Sequence, residues 1–219
     1  MNKLEISDVS INKIISWELE NTLPELYKLK ECIEHNPWHM NTSVFEHTIE
    51  VLEELEKIIK VNKDSNLDIY LEKKIDNYSK KDLLYLWTLF HDISKNDTFS
   101  YEKWFWTKCP WHEEQWAIKV ENILKKFDLS NIEKIFVKNL IRYHWKIHYI
   151  LYEDNLNLNN EVNEHKNKYE AIYIELIILA LADTIASDLK ISDKINYDFR
   201  IKFYMDIILN FKLKNTWKN

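Results

Sequence analysis

The feature that most constrains this chain of 219 residues is that it contains no glycine. Phosphate-cradling loops and the fingerprint of dinucleotide-binding domains both need glycine, because the backbone must approach the ligand without a Cβ in the way. These two modes of nucleotide binding are therefore excluded. Sheet-rich folds also use glycine in hairpin turns, whereas a helix can end on asparagine, which is abundant here. The composition favours an all-α fold, and the length predicts a single domain.

Charge and cysteine usage indicate the class of partner and the compartment. A formal net charge of -6 and a pI near 5.8 argue against nucleic-acid partners, which are bound through clustered lysine and arginine. Cys32 and Cys109 are far apart and form no CxxC motif, which fits a reducing compartment. The first residues lack the apolar core of a signal peptide, and the longest apolar stretch, 171–182, is too short to cross a bilayer. We therefore expect a cytoplasmic protein without a membrane partner; the sequence makes no prediction of its oligomeric state.

Apolar residues recur at helical spacing through most of the chain. Ser43 with Glu46 and Ser130 with Glu133 form capping boxes that mark two helix starts, and Ser79 marks a third. The predicted helices span about 43–59, 79–92, 111–127, 130–144, 169–189 and 194–211.

The remaining segments carry weaker signals. Residues 1–35 are helical in pattern but have no motif, so we expect a helical extension before one packed unit, 36–219, that ends in a C-terminal helix. Residues 96–111 are aromatic and irregular, which is typical of a long functional loop. Residues 153–168 are rich in Asn, Glu and Lys and predict an exposed excursion.

Several polar residues end or interrupt apolar helical faces. His47 lies between Val44 and Val51 on the apolar face of its helix, so it points into the core. Taken alone, such a residue is typical of a hydrogen-bonded core histidine. The adjacent His91 and Asp92 are, by themselves, typical of a helix end.

Asp183 is harder to explain as a structural residue, because it follows six apolar residues, 177–182, in the most apolar helix. A buried carboxylate must be neutral, pair with a cation or bind a metal. An internal salt bridge is the structural alternative. The other is a shared site with His47, His91 and Asp92, because imidazole and carboxylate together suit a divalent transition metal such as Mn, Fe, Co, Ni or Zn.

The order H…HD…D, given by His47, His91, Asp92 and Asp183, resembles the signature of the HD superfamily of metal-dependent phosphohydrolases. The similarity covers about 39–183, in the order and spacing of the HD domain attached to bacterial tRNA nucleotidyltransferases. Four segments carry it: PWHMNTSVFEHTIEVLEEL, LWTLFHDISK, WHEEQWAIKVENIL and IRYHWKIH.

The resemblance implies an HD-type helical bundle in a single domain. It also implies a phosphatase or phosphodiesterase that hydrolyses a small-molecule phosphate ester, such as a nucleotide, by a metal-bound hydroxide. The four signature residues would hold the first ion, and Asp92 is both a catalytic candidate and the natural bridge to a second. His112 and His144 match positions that bind a second metal in several HD families, although surface histidines are the simpler alternative. We expect one firmly bound ion and a second, weaker one.

Other residues are candidates for contacting the substrate. His39 and Lys95 match the family pattern, and Lys95, a second catalytic candidate, can contact a phosphate as a point charge or lie in solvent. Trp104 and Trp106 in the aromatic loop can form a wall for a nucleobase, or simply pack beneath the loop.

Departures from the family pattern narrow the range of functions that the resemblance implies. Ser94 replaces the Gly of the HDIGK variant, and the nucleotidyltransferase head, the GYP extension and the ED pair of other HD families are absent. The resemblance therefore does not imply tRNA end repair or cleavage of cyclic di-GMP or guanosine tetraphosphate. Two rival hypotheses stay open: a non-catalytic module that binds a ligand through the HD fold, and an RNA-associated regulatory protein, which the acidic pI argues against.

Overall fold

The protein is represented by a computed structural model that describes residues 3–101, 107–108, 119–152 and 155–213. Helices dominate these residues, which confirms the predicted all-α fold. Two small antiparallel hairpins, which the sequence did not predict, accompany the helices. No helix of the described residues is both long and apolar enough to cross a membrane.

The helices differ widely in length, and residues 119–124 are also helical. In chain order they are α1 Ile11–Ile15, α2 Pro24–Tyr27, α3 Val44–Val61, α4 Asn66–Leu71, α5 Lys80–Phe90, α6 Lys95–Thr98, α7 Asn131–Ile150, α8 Leu158–Lys168, α9 Tyr173–Ala186, α10 Leu189–Ser192 and α11 Lys194–Leu209, with 3-10 turns at Ile6–Asp8 and Lys28–Glu31. The strands are β1 Ile33–Asn36, β2 His39–Ser43, β3 Ser100–Tyr101 and β4 Thr107–Lys108.

Capping boxes set the starts of the three helices that the sequence defined best. At α3, the Glu46 backbone N–H donates to Ser43 Oγ at 3.1 Å, and the Ser43 N–H donates back to a Glu46 carboxylate oxygen at 3.1 Å. The same reciprocal pattern begins α5 at Ser79 and α7 at Ser130. These bonds satisfy backbone donors that a helix start leaves unpaired, so the predicted starts are confirmed.

The central element is α9, which packs against α3, α7 and α11. Its side chains are buried almost all round, as its apolar sequence predicts. Since α5 in turn packs against α3 and α7, the helices that carry the predicted ligands pack against one another around α9.

Three segments differ from their predictions. The segment 153–168, predicted as an exposed excursion, is largely exposed where it is described, but residues 158–168 form the helix α8, which packs Leu158, Val162 and His165 inward at helical spacing. In the predicted loop at 96–111, the described residues contain the rest of α6 and the strands β3 and β4. The first 35 residues form short helices and then enter β1, which is a strand.

Candidate metal centre

Three helices bring the predicted ligands into one pocket. His47 lies on α3, His91 and Asp92 follow the last turn of α5, and Asp183 lies on α9. His47, His91 and Asp92 are buried, and one donor atom of each lies within 4.8 Å of the others. Two imidazole nitrogens and a carboxylate oxygen at this spacing can hold a divalent transition metal.

The hydrogen bonds of His91 leave one ring nitrogen directed into the pocket. Its Nδ1 lies 2.7 Å from the carbonyl oxygen of Thr88, which can only accept, so Nδ1 carries the hydrogen. The Nε2 atom lies 3.3 Å from Asp92 Oδ2, and this buried nitrogen has no hydrogen-bond partner among the described residues. Metal-ligating histidines are commonly oriented in this way, so the residues present fit a metal.

The pocket attracts positive charge. Burial lowers the pKa of His91, but the attraction of Asp92 outweighs it and raises the pKa above its usual value. Burial raises the pKa of Asp92, but Lys95 and His91 bring it well below its usual range. Asp92 is therefore an ionised carboxylate in a buried pocket, which is the form that binds a cation.

Asp183 contacts two histidines. Its Oδ1 lies 2.8 Å from His47 Nε2, and its Oδ2 lies 3.2 Å from His148 Nε2. Burial raises the pKa of Asp183, but the hydrogen bonds with His148 and His47 bring it well below the usual value. The alternative of an internal salt bridge stays open, because both contacts are ion pairs when the histidines are protonated. As placed, Asp183 orients His47 and contributes a second negative charge to the pocket.

Lys95 is enclosed by the site, so the alternative of a solvated lysine is wrong. Its side chain is 13% exposed, and its Nζ lies 2.9 Å from Asp92 Oδ2 and 2.7 Å from Glu34 Oε2. Burial lowers the pKa of Lys95, but Asp92 and Glu34 together raise it well above the usual value. Glu34 was not predicted from the sequence, because it belongs to no motif and lies in the segment expected to be a helical extension.

His144 also reaches the pocket. Its ring is perpendicular to that of His91, with centroids 5.7 Å apart, and its Nδ1 lies 2.7 Å from the carbonyl oxygen of Ile141. The side chain is buried, so the surface-histidine alternative is wrong, and α7 continues beyond it to Ile150 instead of ending there. His112, the other predicted ligand of a second ion, lies outside the described residues, and the second site stays a prediction.

His148 is a further pocket residue that the H…HD…D order does not include. It lies one turn after His144 on α7 and contacts Asp183. Its Nδ1 is 3.2 Å from the hydroxyl oxygen of Tyr204 on α11, and its ring packs edge-on against Trp38. The spacing of four residues from His144, which places both on one helix face, was the available signal.

The predicted substrate-binding residues are only partly described. His39 on β2 is buried, with its ring centroid 4.3 Å from that of His47 and its Nε2 3.6 Å from Glu34 Oε2. Burial, followed by the positive neighbours, holds the pKa of His39 well below its usual value, so the ring is neutral. Trp104 and Trp106 lie outside the described residues, and their role as an aromatic wall stays a prediction.

Comparison with known proteins agrees with this arrangement at the level of the family. The family model described as HD domain matches residues 44–188, which are more than half of the chain and include the whole H…HD…D order. A search of curated proteins gives no significant match. The likeness to the nucleotidyltransferase HD domain therefore stays an expectation from the sequence. By the extent of the family match, the chain belongs to the HD-domain family.

Proposed function

We propose that this protein is a metal-dependent phosphohydrolase that cleaves a phosphomonoester or phosphodiester, of a nucleotide or a similar small molecule. Membership of the HD-domain family supports metal-dependent hydrolysis of phosphate esters in general. The observation that carries the proposal is the convergence of His47, His91 and Asp92, with His91 Nε2 directed into the pocket.

The donor set suits Mn, Fe, Co, Ni or Zn. His47, His91 and Asp92 would hold the ion, with Asp183 as the fourth ligand of the signature. When bound, such an ion lowers the pKa of a water molecule and neutralises charge on phosphoryl oxygens. Lys95 adds a fixed positive charge beside Asp92, where it can bind a phosphate oxygen.

The exposure of the side chains suggests the direction from which a substrate enters. His47 and His91 are 1% exposed, whereas Asp183 and His148 are each 15% exposed. Asp183 and His148 are therefore more accessible to solvent than the histidine ligands on α3 and α5. His91 stays oriented through its bond to Thr88, and Asp183 holds His47 and His148 in place. A phosphate that enters past Asp183 would meet both the metal ligands and Lys95.

The proposal is tested by turnover of the metal-reconstituted protein. Protein purified without chelator is loaded with Mn, Fe, Co, Ni or Zn and assayed against phosphomonoesters, cyclic nucleotides and nucleotide polyphosphates. We expect metal-dependent release of phosphate or of a nucleotide, and loss of turnover to background in Asp92→Ala with the helical circular dichroism unchanged. Asp97→Ala is the matched control, because Asp97 pairs with Lys119 and has no contact with His47, His91, Asp92 or Asp183 among the described residues.

Elemental analysis provides a measurement that does not depend on the choice of substrate. We expect the wild-type protein to carry a transition metal and His91→Ala to lose it. Protein that takes up no metal, or Asp92→Ala that hydrolyses substrate as fast as wild type, would contradict the proposal. Metal uptake with no turnover on any substrate would favour the ligand-binding or RNA-associated module instead.

A further inference from the structure

The β1–β2 hairpin buries the polar side chains of Glu34, His39 and Ser43 and exposes the apolar side chains of Ile33 and Met40. Ile33 is 49% exposed, whereas its neighbour Glu34 is 4% exposed. Neighbouring residues of a strand point to opposite faces, so a shift of one residue would reverse this choice. A hairpin that only covered a hydrophobic core would bury the isoleucine. Since burying a carboxylate is costly, the register of this hairpin points to a role for Glu34 beyond packing.

Contacts of the residues that follow Glu34 constrain its direction. The pairing of β1 with β2 shifts register between Glu34 and His35, and irregularities of this kind commonly re-aim side chains beside active sites. The His35 backbone N–H then donates to Thr107 Oγ1 at 2.8 Å. Beyond it, Asn36 Oδ1 accepts from the backbone N–H of Trp38 at 2.8 Å, which closes the turn. The carboxylate of Glu34 is therefore held by a constrained segment.

The target of this carboxylate is Lys95. Glu34 Oε2 lies 2.7 Å from Lys95 Nζ, slightly closer than Asp92 Oδ2 at 2.9 Å. A cation bound at Asp92 would neutralise part of the negative charge of that carboxylate and so weaken its attraction for Lys95. Glu34 is not among the predicted metal ligands, so its charge stays with the Lys95 ammonium when the site is loaded. The same Glu34 oxygen also faces His39 at 3.6 Å.

We propose that Glu34 is a positioning residue that holds the Lys95 ammonium at the place where a phosphate group binds. The inference rests on the proposed function, because it takes the pocket to be a phosphate site. Glu34 precedes residues 44–188, which match the HD-domain family, so the hairpin would set the phosphate affinity of this chain from outside the matched segment.

The probe is inorganic phosphate, titrated calorimetrically into the manganese-loaded full chain. Glu34→Gln and Lys95→Met should each weaken phosphate binding about tenfold, which corresponds to the loss of about 1.4 kcal/mol. The double variant should bind no more weakly than either single variant, because the two residues act as one unit. Manganese content should stay at the wild-type level in all of them. Glu25→Gln is the matched control, since Glu25 pairs with Lys126 away from the pocket.

Several results would overturn the proposal. One is a folded Glu34→Gln variant that binds phosphate as tightly as wild type. Glu34 would then have only a structural role, even if the variant unfolds at a lower temperature. Another is a double variant whose loss of phosphate affinity equals the product of the losses in the two single variants. Failure of the loaded wild-type protein to bind phosphate would also overturn it. If Glu34→Gln does not fold, Glu34→Asp keeps the charge but withdraws it from Lys95, and unchanged phosphate affinity would overturn the proposal.

Turnover measured on the same samples separates this inference from the proposed function. Phosphate binding that depends on Glu34 and Lys95, without hydrolysis of any ester, would support the positioning role and contradict the hydrolase. Hydrolysis of an ester by variants that keep wild-type phosphate affinity would support the hydrolase and contradict the positioning role.

Discussion

Among single residues, Glu175 is costly to bury, because its carboxylate lies in the first turn of the apolar helix α9 and is fully enclosed. Its Oε1 lies 2.6 Å from Lys80 Nζ and accepts a hydrogen bond from the Tyr70 hydroxyl at 3.0 Å. Removing the cation would leave this carboxylate uncompensated. We expect Lys80→Met to lower the free energy of unfolding by about 3–5 kcal/mol, measured by urea denaturation.

The control for this prediction is Lys57→Met, which removes an exposed ion pair with Glu54 and should lower the free energy of unfolding far less than Lys80→Met does. Adding Glu175→Leu to Lys80→Met should restore most of the lost stability, since the buried charge is then gone. Equal costs for Lys80→Met and Lys57→Met would contradict the prediction.

Single residues also show why the candidate site was only partly predictable. Asp183 could be singled out from the sequence because a charge at the end of an apolar helical run conflicts with its surroundings, and the structure places it beside His47. Glu34 gives no such conflict, because its burial depends on the register of a hairpin that no sequence pattern marked. His148 follows His144 at helical spacing, but that spacing does not tell which helix the face packs against.

At the scale of secondary-structure elements, the start of α7 depends on one buried carboxylate. Glu133 is fully buried, and its Oε1 accepts from the backbone N–H groups of Asn77 and Tyr78 at 2.7 Å each, while its Oε2 accepts from that of Ser130 at 2.8 Å. Unsatisfied buried donors cost about 1–3 kcal/mol each. We therefore expect Glu133→Ala to destabilise the protein by about 3 kcal/mol or more in urea denaturation.

The matched variant is Glu46→Ala, which removes the capping box of α3. Glu46 is exposed and bonds only to Ser43 in the described structure, so its loss should cost about 1 kcal/mol. If the free energy of unfolding falls equally in the two variants, Glu133 serves only as a helix cap, its bonds to residues 77–78 contribute nothing, and the prediction is wrong.

Elements also differ in how well the sequence predicted them. The starts of α3, α5 and α7 were predictable because their capping boxes act within four residues. The β1–β2 hairpin was missed because the absence of glycine argued against tight turns. Asparagine takes positions where glycine is common: Asn36 closes the turn with its side chain, and Asn41, at the register shift within β2, adopts a left-handed backbone angle, with φ of 69°.

At the scale of the whole molecule, segments on both sides of the family match join one hydrophobic core. Leu26 comes from the first 35 residues and Tyr204 from α11, and both are completely buried. Tyr204 also contacts His148, and Glu34 contacts Lys95, so these segments reach the candidate site. Periodicity within a segment predicts which face is buried but not which distant segment covers it, so these contacts could not be predicted from sequence.

The free energy of unfolding of the whole molecule should depend on pH because of His165. This residue packs α8 against the rest of the protein. His165 is buried against the rings of Tyr169 and Tyr173, and neither ring nitrogen has a hydrogen-bond partner among the described residues. Burial, followed by the positive charges of Lys146 and Lys168, lowers the pKa of His165 to about 4. The folded protein therefore keeps this ring neutral at pH values where an exposed histidine takes up a proton.

The sign of the effect is set by the two pKa values. In the unfolded chain the histidine titrates near a pKa of about 6.5, so between about pH 6.5 and 4 the unfolded state binds a proton that the folded state does not. The free energy of unfolding should therefore fall as the pH drops through this window. Urea denaturation across this pH range should show that decline for wild type and a shallower one for His165→Leu. Lys166→Met, which changes an exposed neighbour on α8, should keep the wild-type slope, and an unchanged slope in His165→Leu would contradict the prediction.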